Sequence, residues 1–143
     1  MSAMRHTFLL QPARWGAVGR LFDSLHRPAE ALGELRVSHE PLRWLLDMEL
    51  AAGGTRWSAR RTLSPFAGAT AARWNCEHRD LGVLDGSFEF AGKRIFSVFA
   101  SADGLLRGRE TFTRRGERIY AAEGELLRNR RTLSSWDIVL RLL

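Results

Sequence analysis

A two-residue rhythm runs through almost the whole chain and limits what it can fold into. Trp44, Leu46, Met48 and Leu50 alternate with Arg43, Leu45, Asp47 and Glu49. Trp57, Ala59 and Leu63 alternate with Arg56, Ser58, Arg60 and Thr62. Trp136, Ile138, Leu140 and Leu142 alternate with Asp137, Val139 and Arg141. Successive side chains on a strand point to opposite faces, so this pattern means sheet with one dry face and one wet face. Turn residues break the rhythm at short intervals. Ala52-Gly53-Gly54, Ala91-Gly92, Ala102-Asp103-Gly104 and Arg115-Gly116 each separate two runs. Glycine and Asp-Gly supply the positive φ that tight hairpins demand. Pro41 and Pro65 mark corners, where a missing N–H is tolerable.

Rhythm and punctuation together predict strands over 14–22, 32–39, 42–51, 55–63, 69–78, 83–90, 94–101, 105–114, 118–127 and 132–142. Helix is scarce: the one candidate is a single turn before Trp15 that closes one end. The expected fold is therefore all-β, one antiparallel up-and-down meander of about ten strands. Twist curls a meander of that length, and closure into a barrel removes its exposed edges. Greek-key sandwiches need longer crossovers than these turns allow. A barrel of this strand number is wide enough to hold a small ligand. At 143 residues the chain reads as a single domain, 1–143.

Glycines also occur inside the runs, at Gly19, Gly33, Gly86, Gly108 and Gly124, each in phase with large apolar residues. Glycine weakens a strand, so its presence there asks for a cause. Tight bending of the barrel is one. Close approach of a ligand or of a facing tryptophan is another.

Composition narrows the function classes. The hydrophobic fraction of 45% is enough for a core. No apolar run approaches the roughly 18 residues of a membrane-crossing helix, so no integral membrane segment is expected. The stretch 1–11 lacks the apolar length and cleavage site of a signal peptide. Cys76 is the single cysteine, which excludes an internal disulfide and fits a reduced, cytoplasmic protein. The net charge is +6, almost all from arginine, with Lys93 the only lysine. A basic balance can favour an acidic ligand, a membrane surface or nucleic acid. Here the arginines are spread over most strands, with no basic tail and no interleaved aromatic motif, so a solvated face is the reading and no nucleic-acid partner is expected.

At Ala13-Arg14-Trp15-Gly16-Ala17-Val18-Gly19 the chain resembles the calycin superfamily, the lipocalin and fatty-acid-binding-protein class of barrels. The stretch is similar to the Gly-x-Trp signature that opens such barrels, with Ala13 where glycine is expected. The resemblance is architectural and extends over nearly the whole chain. It implies that Trp15 plugs the closed end of the barrel. Fatty-acid-binding proteins carry a helical lid between the first two strands; too few residues lie there in this chain for one. They also fix the ligand carboxylate with an Arg-x-Tyr pair, and Arg118-Ile119-Tyr120 has that form in the penultimate strand. Nitrobindins, a haem-binding branch, use a late histidine, and none follows His78.

Strand phase then selects the inward polar side chains. Trp74, Cys76 and His78 share a face, as do Trp57, Ala59 and Arg61. Glu110 is in phase with Leu106 and Phe112, and Tyr120 with Ala122 and Leu126. Arg61, His78, Glu110 and Tyr120 would form a polar floor within walls that include Trp57, Trp74 and Trp136; binding sites are typically built so. Plainer readings stand beside these. Arg61 and Glu110 can form a structural ion pair, since an unpaired buried charge is costly. His39 can be a rim residue, His78 a hydrogen-bonded strand end, and Cys76 a small buried hydrophobe. The histidines and cysteine show none of the usual metal-ligand spacings, and no phosphate-cradling loop or nucleophile elbow is present, so no cofactor is expected.

The leading expectation is an intracellular binding protein that holds a small apolar or anionic molecule, with Arg61, Arg118 and Tyr120 at the polar end. The alternative is a small enzyme on the same barrel, an isomerase, cyclase or decarboxylase, with Glu110 and His78 or Tyr120 as its acid/base set. A third reading is a solid-cored module acting through its basic exterior, Arg107 and Arg109 with Arg128, Arg130 and Arg131. A homodimer is compatible with each.

Overall fold

A computed structural model of the protein describes residues 6–64 and 70–143. Ten strands follow one another: β1 (Ala13–Phe22), β2 (Pro28–His39), β3 (Trp44–Ala52), β4 (Thr55–Leu63), β5 (Ala71–His78), β6 (Gly82–Ala91), β7 (Arg94–Ser101), β8 (Leu106–Gly116), β9 (Ile119–Arg128) and β10 (Arg131–Leu142). Each pairs antiparallel with its sequence neighbours, and β1 pairs with β10 to close the barrel. No helix forms among the described residues. The turn expected before Trp15 is present at residues 8–10 but is not helical. The expected corner at Pro65 and the expected start of the fifth strand at Ala69 lie outside the described residues.

Two boundaries differ from expectation for local reasons. β2 begins at Pro28, where it pairs with Phe22 of β1. The Asp23 carboxylate makes the short connection possible by accepting the N–H groups of Leu25 and Arg27 and the Arg27 side chain. β9 begins at Ile119, which leaves Arg118 in the β8–β9 turn.

The interior glycines have two structural causes. A Cβ on Gly19 or Gly33 would collide with the backbone of the neighbouring strand, at Asp137 and Glu49. Those positions mark tight coiling of the sheet. A Cβ on Gly86 would lie 2.7 Å from the Trp74 ring, and one on Gly124 2.5 Å from Trp136. Each glycine sits directly across from its tryptophan on the adjacent strand, Gly86 opposite Trp74 and Gly124 opposite Trp136. The indole lies flat over the gap, a cross-strand arrangement that fills the space a side chain would take.

One end of the barrel is plugged. Residues 6–12 cross it and bring Phe8 and Leu9 into full burial. Trp15 is fully buried there, edge-on to both Phe8 and Tyr120. His39 ties the plug to β2 by bonding the Leu9 carbonyl at 2.8 Å, and its ring stacks on Trp44. The opposite end stays open between the β1–β2, β3–β4 and β5–β6 turns.

Candidate functional site

Inside the barrel, above the plug, lies a cavity of about 540 Å³. Its walls are mostly aliphatic and aromatic: Leu35, Leu46, Met48 and Leu50 on one side, Phe99, Phe112, Leu126 and Ile138 on the other. Strand alternation puts them there, since these are the inward positions of β2, β3, β7, β8, β9 and β10. Trp57, Trp74 and Trp136 all line it. Trp74 is buried deep, whereas Trp57 is 39% exposed at the mouth.

The polar floor is an ion pair. Arg61 on β4 reaches across the interior to Glu110 on β8, its Nη1–H donating to Oε1. The carboxylate side chain is 5% exposed and the guanidinium side chain 19%. The guanidinium also lies over the Trp74 ring, 4.5 Å from its centroid, and over Phe88 at 5.5 Å. Aromatic faces at that range favour a cation. Trp74 is itself fixed, its Nε1–H donating to Ser97 Oγ at 3.1 Å. Ser97 is the cross-strand neighbour of Glu110. Arg61 and Glu110 form the ion pair, and both line the cavity.

The other predicted site residues divide. His78 lines the mouth, where its Nδ1 accepts the N–H groups of Asp80 and Leu81. With Nδ1 an acceptor, the ring proton sits on Nε2. Tyr120 points into the plugged end and does not line the cavity: its hydroxyl meets His6 Nδ1 at 2.8 Å and accepts the Thr7 N–H at 3.1 Å. Arg118 is exposed, and its guanidinium bonds the Leu142 carbonyl at the outer edge of the barrel. The Arg118-Ile119-Tyr120 pair expected at the polar end of the site is therefore outside it. The turn that ends β8 places Arg118 beyond the barrel wall, and the plug claims Tyr120. Of the two acid/base partners expected for Glu110, Tyr120 lies in the plug against Trp15 and Phe8, while His78 lines the cavity with Glu110.

Other residues gain a role from the structure. Asp23 and Arg27 form an ion pair on the rim, and both line the mouth. Backbone donation from Arg27, with help from its side chain, holds the Asp23 carboxyl below the usual carboxylate range. Ser97 was legible in principle, since it shares phase with Ile95 and Phe99. His6 was not, because it precedes the first alternating run. Cys76 lines the cavity as a free, buried thiol. Burial pushes its pKa up, and nearby Arg61 offsets this only in part, so the thiol is a poor nucleophile. Among the described residues no group of three or more His, Cys, Asp or Glu could hold a metal ion.

The wall is incomplete on one side. β4 and β5 pair only at Arg61–Cys76, Thr62–Asn75 and Leu63–Trp74. Toward the mouth they part, and β4 runs on past Trp57 to Thr55 paired with β3 but not with β5. The gap is flanked by Trp57 and His78, both at the cavity surface.

Fold and cavity define the class: a closed, ten-stranded antiparallel barrel with a roomy apolar interior. No protein-family model matches the chain, and no curated protein matches it significantly. Among solved structures it is similar to an N-terminal dehydratase from the difficidin assembly line, at 8% identity over 96% of this chain and 80% of that one. The TM-score of 0.28 carries no argument about fold or chemistry.

Proposed function

We propose that the protein is an intracellular, calycin-type binding protein that holds one small, largely apolar molecule inside its barrel. The observation that carries this reading is the cavity: about 540 Å³, walled by aromatic and aliphatic side chains, with a few convergent polar groups at Arg61 and Glu110. Cavities of ligand size with that lining are the usual form of a small-molecule site. With one end closed by Trp15, Phe8 and Leu9, the entry routes among the described residues are the mouth and the parted β4–β5 wall. In the enzymatic alternative Glu110 would have to act while engaged by Arg61, with Tyr120 outside the cavity and His78 at its mouth.

The test is direct. Native mass spectrometry and calorimetry against neutral apolar compounds, fatty acids, aromatic acids and tetrapyrroles should find a one-to-one complex. Binding should also change emission from Trp57, Trp74 and Trp136, which line the cavity. Leu50→Trp or Leu126→Trp, each filling part of that space, should weaken binding roughly tenfold or more while the barrel stays folded. Absence of binding across all four compound classes overturns the proposal.

A further inference from the structure

We infer that the ligand is uncharged and carries one group that both donates and accepts hydrogen bonds, such as a primary amide or a lactam. This rests on the binding reading above and adds the charge class of the occupant. Among the described residues, the charged side chains that line the cavity are Asp23, Arg27, Arg61 and Glu110, and they are matched two against two. His78, the remaining ionisable base there, spends Nδ1 on turn N–H groups and keeps its proton on Nε2. Among the described residues the site thus presents no uncompensated cation to an anion.

A carboxylate entering the floor would bring a second negative charge to a site whose one cation, Arg61, is already matched by Glu110. Two carboxylates would then share one guanidinium, with Glu110 nearly buried, which is unfavourable at a site largely withdrawn from water. An ammonium meets the mirror problem at Arg61. The pair nevertheless keeps unused capacity. The bond uses Arg61 Nη1 and Glu110 Oε1, leaving Oε2 as an acceptor and the other guanidinium N–H groups as donors. A neutral group with C=O and N–H side by side satisfies both without breaking the pair. A group that only accepts leaves Oε2 unmatched.

Three probes of one chain length separate these cases at about pH 7.5, where a fatty carboxylate is ionised: decanamide, methyl decanoate and decanoate. Each is titrated against the intact protein by calorimetry and tryptophan emission. Decanamide should bind roughly tenfold tighter than the ester and tighter still than the acid. In Glu110→Gln the order should invert. Arg61 then lacks its counter-ion, so decanoate gains roughly tenfold or more and its affinity becomes salt-dependent. If that variant fails to fold, the doubly substituted R61M/E110L protein gives a second readout, in which the amide's advantage over the ester falls to about twofold or less. Decanoate binding wild type more tightly than decanamide overturns the charge inference and leaves the binding function standing. Failure of all three probes to bind also overturns the charge inference, while the binding function falls only if the four compound classes above fail as well.

Discussion

Arg61 and Glu110 are the residues whose substitution should be most revealing. Glu110 is almost fully buried, so removing Arg61 leaves its carboxylate poorly solvated and without a cationic partner. Arg61→Met should cost about 3 kcal/mol in urea unfolding. The double substitution R61M/E110L should recover most of that loss, because well-packed apolar residues often replace a buried pair at little cost. A double variant as unstable as the sum of the singles would mean the pair is not a unit. His6 offers a second test. It is buried in the plug with Nε2–H donating to the Gly92 carbonyl and Nδ1 accepting from the Tyr120 hydroxyl, an arrangement only the neutral ring satisfies. Burial, and to a smaller degree Arg114, holds its pKa below the ordinary value of 6.5. The unfolded chain therefore binds the proton first, and stability is lost as pH falls from about 6.5 toward the lowered folded value. The urea midpoint should drop over that window in wild type and drop less in His6→Gln; equal slopes would remove His6 as the cause.

At the scale of elements, strand phase in the sequence was a faithful guide wherever a run was long. Trp57, Trp74, Trp136, Arg61 and Glu110 all face the interior that alternation assigned them. Phase failed at ends, where one residue of turn changes everything. Arg118 shares phase with Tyr120 on paper, yet the β8–β9 turn puts it on the outside. The parted β4–β5 wall was not legible, because pairing between two strands depends on how far each extends past the other. It has a measurable consequence. Amides of Thr55–Arg60 that face away from β3 have no ladder partner on β5. They should exchange with deuterium far faster than amides of β8 and β9, which are paired along nearly their whole length. Uniform protection across β4 would show the wall closed in solution.

For the whole molecule, alternation and tight turns alone determined the ten-strand meander, and sheet twist with the cost of free edges determined its closure. These are local and generic forces, so they can be read from one chain. The interior glycines were legible as anomalies; their causes, the neighbouring backbone at Gly19 and Gly33 and a tryptophan across the strand at Gly86 and Gly124, needed the register. The contents of the barrel depended on tertiary structure throughout. Whether side chains from opposite walls meet in the middle or leave a space is set by volumes summed around the ring, which no single strand contains. Tertiary packing likewise sent Tyr120 to the plug with His6, residues far apart in sequence. It also joined Arg61 to Glu110 across the interior and so gave the cavity its neutral floor. Strand-by-strand pattern specifies which way a side chain points; only the closed ring decides what it meets.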